Sequence, residues 1–121
     1  MTNDVRPDEH LLVESSELIL LSAHHATGDP HESVLKFAYE DGRVYLLAHS
    51  GDTDIWYRNI AQDRGVVLRI GRRSFRGQAK LLKDTEHSDA AQQIITLFRR
   101  KYSSTSYRLG NVHAASIHVQ F

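Results

Sequence analysis

The residues best suited to chemistry lie in the middle of the chain. Residues 44–51 read VYLLAHSG, an apolar run that stops at His49, Ser50 and Gly51. Asp52, Thr53 and Asp54 follow at once, and all three are good helix N-cap types. A strand that ends in small polar residues against a helix start leaves backbone N–H groups free to hold a phosphate, and the helix dipole helps. A plain strand-to-helix turn carries the same pattern. Next comes Trp56-Tyr57-Arg58-Asn59. Trp56, the single tryptophan, can wall a planar ligand or fill the core. Arg58 can meet a phosphate, or pair with Asp54 one turn earlier.

Histidines and arginines form the other two groups. His24, His25, His31 and His49 fall near two strand ends in the layout below, where a metal or haem site is conceivable. Their spacing matches no ligand motif, and hydrogen-bonded or solvated histidines are the simpler reading. Arg69, Arg72, Arg73, Arg76 and Lys80 make a basic stretch across a hairpin. It could take a phosphate or an acidic tail, but it also reads as a solvated sheet face. Arg99-Arg100-Lys101 suits a helix C-terminus. With no cysteine in the chain, disulfides, cysteine-ligated zinc and a cysteine nucleophile are excluded. GxGxxG, P-loop, HExxH and GxSxG motifs are all missing.

The elements that must position these residues follow from periodicity. After a polar tail, Pro7 starts a short helix to about residue 15, docked by Leu11 and Leu12. Residues 17–23, with Leu18 to Leu21, read as a central strand. HHATGDP turns the chain, and residues 33–39 alternate with Leu35, Phe37 and Tyr39 on one face. Asp41-Gly42 is a hairpin signal, and residues 43–48 return with Val44, Leu46 and Ala48 inward. Trp56, Ile60 and Ala61 place a helix at about 53–62. Strands follow at 66–70 and 74–82. In the second, the small inward residues Gly77 and Ala79 imply close approach of another element. Ala91, Ile94, Ile95, Phe98 and Tyr102 place a helix at 87–102, capped by Ser88 or Asp89, before a last strand at 112–121. Six strands from consecutive hairpins, in 121 residues, predict one α+β domain, mainly β, with two or three helices and an antiparallel sheet that curls to hide its edges.

Composition agrees. Hydrophobic residues are 40% and charged residues 25%, as in globular domains. Fifteen basic residues balance fifteen acidic ones, so no general attraction to nucleic acid or anionic membrane is expected. MTNDVRPDEH lacks the regions of a signal peptide, and no apolar run approaches a membrane span, so a cytoplasmic protein is expected.

Taken together, DGRVYLLAHSG (41–51), DIWYRNI (54–60), VVLRIG (66–71) and FRGQA (75–79) resemble the split β-barrel flavin-binding superfamily, which includes pyridoxamine 5'-phosphate oxidase-like proteins. More narrowly they resemble its deazaflavin (F420)-dependent nitroreductase branch. The likeness covers residues 18–82, plus Lys101-Tyr102 and the final strand. It implies a six-stranded antiparallel split barrel, coenzyme F420 or FMN, and hydride transfer to a small quinone, nitro or enone acceptor. The first hairpin loop would meet the phosphate-bearing tail through His25, Thr27, Gly28, His31 and Ser33. His49, Ser50 and Gly51, with Trp56 and Asn59, would line the ring end, and Tyr57 would be the catalytic residue that hydrogen-bonds near the acceptor. His25 and His31 stand where the family pattern has arginine. The resemblance further implies a homodimer, with no metal. The alternative is a non-catalytic split-barrel module that carries flavin or haem.

Overall fold

The computed structural model describes residues 7–23, 28–49, 53–84, 88–103 and 112–120. The elements are α1 (Pro7–Glu14), β1 (Glu17–Ala23), β2 (Pro30–Lys36), β3 (Ala38–Glu40), β4 (Arg43–Leu47), α2 (Ile55–Gln62), β5 (Gly65–Ile70), β6 (Arg73–Asp84), α3 (Asp89–Tyr102) and β7 (Val112–Gln120). All strand pairs are antiparallel, in one sheet of order β2-β1-β5-β6-β7-β4-β3.

That order forces the curl. β2 and β3 are the two edges of the sheet, yet one residue, Phe37, separates them in sequence. Two peptide steps span at most about 7 Å. The edges must therefore meet at Phe37, and the sheet is a barrel closed at that corner. The expected single strand 33–39 is thus two strands, which makes seven rather than six. Side-chain alternation continues through the break, but the hydrogen-bond partner changes from β1 to β4.

The corner is held by α3. The Tyr102 hydroxyl accepts from the Phe37 N–H at 2.9 Å and lies 2.8 Å from the Phe37 carbonyl and 2.7 Å from that of Ser16. Phe37 itself is fully buried. α1 packs beside β3 through Leu12, also fully buried.

Local chemistry explains the turns. Asp41 and Gly42 both have positive φ (50° and 80°), the two-residue hairpin turn that Asp-Gly favours. At Gly77 the expected close approach is real: a Cβ there would lie 2.5 Å from Ile117 Cγ2 and 2.8 Å from the His118 carbonyl oxygen. Ser88 caps α3 by accepting from the Ala91 N–H at 3.2 Å.

Two apolar clusters result. The barrel interior gathers Leu18 and Leu20, Val44 and Leu46, Val66 and Leu68, Phe75, and Ala115 and Ile117, with Trp56, Tyr57 and Ile60 of α2. Outside the barrel, α3 sets Ala91, Ile94, Ile95 and Phe98 over Ala38, Val112 and Ala114. Strand β7 is therefore buried on both faces, as Ala114 and Ala115 show. Among the described residues no helix is long and apolar enough to cross a membrane.

Candidate functional site

α2 lies across the barrel mouth, against β1 and β2 on one side and β6 on the other. Its amphipathic sequence dictates this. Trp56, Tyr57, Asn59 and Ile60 are buried, while Ile55, Arg58, Ala61 and Gln62 are exposed. The helix starts at Asp54, whose backbone is extended but whose side chain makes no capping bond.

A polar bond crosses the buried side. Asn59 Nδ2 donates to Ser22 Oγ of β1 at 3.3 Å. Nearby, the Trp56 and Tyr57 rings meet edge-on at 5.8 Å. Tyr57 meets His113 of β7 in the same way at 5.6 Å. The Tyr57 hydroxyl donates to the Leu82 carbonyl across a long 3.4 Å. His113 also joins β4 to β7, since its carbonyl accepts from the Ala48 N–H at 2.8 Å. Its ring Nε2 is buried without a hydrogen-bond partner among the described residues. Such an orphan is uncommon in a folded protein and marks a site that a polar group would satisfy.

The β1–β2 arm brings in the next residues. Ser22 pairs with His31, and Leu20 with Ser33. Directly opposed residues project to the same side of a sheet. His31 and Ser33 therefore face the α2 side together with Ser22, and both are half-buried. Gly28, at φ 77°, shapes the turn of the arm.

The outer side of this arm carries a groove of about 540 Å³. Leu21, Val67 and Arg76 form one paired row across β1, β5 and β6. Gly28 and Pro30 contribute one rim, and Arg76 and Gln78 another. Farther along this side, Arg69 of the basic stretch pairs with Glu32 at 3.4 Å. Both groups are exposed, so the pair adds a few tenths of a kcal/mol at most, roughly.

The structure thus joins Trp56, Tyr57 and Asn59 on the buried face of α2, and sets His31 and Ser33 on the neighbouring arm. Gly28 turns to the outer groove. His49 is exposed just beyond β4. His25, Thr27, Ser50 and Gly51 lie outside the described residues. Sequence reasoning missed Ser22 and His113. A signal existed for each: both sit in the inward register of their strands, Ser22 after Leu18 and Leu20, His113 before Ala115, Ile117 and Val119.

A curled antiparallel barrel closed at one corner and capped by a helix at its mouth defines the split-barrel class. Within it, residues 5–115 match the family model of the F420H(2)-dependent quinone reductases, and the chain belongs to that family. Solved structures agree on the fold. One is the conserved hypothetical protein Rv2991 from Mycobacterium tuberculosis (TM-score 0.75, 17% identity, covering 98% of this chain and 82% of that one). A second is an F420 reductase (TM-score 0.71, 14% identity, covering 98% and 97%). A third is HutZ, the heme storage protein from Vibrio cholerae (TM-score 0.72, 14% identity, covering 94% and 88%). No curated protein matches the chain by sequence.

Proposed function

We propose that this chain binds coenzyme F420 and passes hydride from its reduced form to a small quinone, nitro or enone acceptor. The observation that carries this reading is the match to the F420H(2)-dependent quinone reductase family over residues 5–115, on a fold whose mouth residues could receive a coenzyme. The outer groove fits the acidic, phosphate-bearing tail. It is large enough for a small-ligand site, with an apolar floor at Leu21 and Val67 and a guanidinium, Arg76, on its rim. Histidine replaces arginine at His25 and His31, so Arg76 supplies the permanent charge that the hairpin lacks.

Each residue then has a task. His25, Thr27 and Gly28 hold the tail at the hairpin, and His31 and Ser33, on the α2 side of the arm, meet the part of the coenzyme that enters the mouth. His49, Ser50 and Gly51 border the ring end, with Trp56 and Asn59 as a rigid base. The Ser22–Asn59 bond fixes α2 against β1, which keeps that base in place. Tyr57 holds its proton at the Leu82 carbonyl through a long bond that an acceptor oxygen can replace. The bound coenzyme supplies the hydride; the chain orients the acceptor and excludes water. A second copy is the proposed partner, because Val34 on edge strand β2 is 65% exposed.

The test is titration of the purified full chain with F420, FMN and haemin, followed by turnover of menadione with reduced F420. Micromolar F420 binding with turnover is expected, and Tyr57→Phe should slow turnover by about tenfold while F420 still binds. Exclusive binding of haemin, or of none of the three, overturns the reading. Light scattering tests the dimer.

A further inference from the structure

A second recess lies on the barrel exterior, beneath α3. Tyr45, Ser116 and Lys80 are directly paired across β4, β7 and β6, so their side chains form one row. The next row toward the helix is Leu47, Ala114 and Leu82. α3 covers that apolar row, with Ile94 among the packed residues. The first turns of the helix, at Ala90, Gln93 and Ile94, overhang the polar row and leave a recess of about 350 Å³. Arg43 lines it as well, one position along β4 from Val44 and two from Tyr45.

The chemistry of the lining is one-sided. Arg43 and Lys80 bring two positive charges, and among the described residues no carboxylate lines the recess. Among the described residues neither cation makes an ion pair or hydrogen bond. Glu40 lies directly opposite Arg43 at the margin of the recess, where its Oε1 accepts from Gln93 Nε2 at 2.6 Å. Burial pushes the Tyr45 hydroxyl up from its ordinary pKa, so it remains a donor at neutral pH. Ser116 adds a hydroxyl. Leu82 and Ile94 make the inner wall apolar. The N-terminus of α3 is not the attraction, because Ser88 already takes the Ala91 N–H.

We propose that this recess binds a small amphipathic monocarboxylate, with its carboxylate between Arg43 and Lys80 and its apolar body against Leu82 and Ile94. Two separate cations and two hydroxyls match one carboxylate, and the space suits roughly a bicyclic aromatic acid. The inference shares only Leu82 with the coenzyme reading, through its side chain rather than its carbonyl, and stands whether or not F420 binds.

The probe is 2-naphthoate, titrated into the full chain and followed by amide chemical shifts and calorimetry. Saturable shifts are expected at Tyr45, Lys80, Gln93 and Ser116. Arg43→Gln and Lys80→Gln should each weaken binding by about tenfold, and the neutral analogue 2-naphthamide should bind about tenfold less tightly than the acid. Both substituted side chains are exposed, so the fold is expected to persist, and circular dichroism checks it. Equal affinity for acid and amide overturns the proposal. So does unchanged affinity in the double variant, an absence of saturable shifts at millimolar probe, or shifts confined to the Leu21, Val67 and Arg76 groove.

Discussion

Replacing Lys101 with Met should stabilise the protein at neutral pH. Lys101 Nζ is buried and has no hydrogen-bond partner among the described residues. It sits 3.5 Å from the centroid of Phe37, the residue that closes the barrel. Burial lowers its pKa from 10.5 to about 8, so desolvation outweighs the attraction of the ring for the cation. For a fully sealed amine this depression would correspond to about 3 kcal/mol. The side chain is only partly enclosed, and screening reduces the expected figure to about 1 kcal/mol. Methionine keeps the length of the stem and removes the charge, so Lys101→Met should gain about 1 kcal/mol at pH 7. The sign with pH follows from proton counting. Between pH 8 and 10.5 the unfolded lysine holds a proton that the folded one has released, so wild-type stability from this group rises with pH. The advantage of the variant should therefore shrink across that window and be close to constant below it. Urea unfolding of both proteins at pH 6, 7, 9 and 10 measures the difference, and contributions from other titrating groups cancel in it. A variant that is less stable at pH 7, or an advantage that grows between pH 8 and 10, refutes the reasoning.

Three further outcomes follow from single contacts. Tyr102→Phe removes the hydroxyl bonded to the Phe37 N–H and set between two carbonyls, and should cost about 2 kcal/mol in urea unfolding, with faster amide exchange at Phe37. Gly77→Ala drives a methyl into Ile117 and the His118 backbone and should cost about 2 kcal/mol or more, read as a lowered melting temperature. Ser22→Ala leaves the buried Asn59 amide without its acceptor and should cost about 1 kcal/mol, and the double variant with Asn59→Leu should be less than additive in a denaturation cycle.

Local pattern was enough for much of this molecule. The Asp41-Gly42 turn, the Ser88 cap, the inward alternation of β4 and β5 and the apolar stripe of α3 each depend on neighbours within a few residues. Those are the interactions that periodicity and capping chemistry report. The close approach at Gly77 was also legible, because two small residues in an inward register leave room that something must fill. The break at Phe37 was not. Leu35, Phe37 and Tyr39 alternate without interruption, and only pairing with β1 on one side and β4 on the other divides the run.

The same limit applies to the candidate site. Trp56, Tyr57 and Asn59 could be assigned to one helix from their spacing, and the tertiary structure alone supplied their partners, Ser22, His113 and Leu82. The amino-acid order determined which segments become strands or helices and which face of each is apolar. Tertiary packing decided which edge meets which, that Lys101 lies over Phe37, and that Arg43 and Lys80 flank one recess. Those juxtapositions join residues dozens of positions apart, and hydrophobic burial, which drives them, has no direction of its own until the whole sheet has curled.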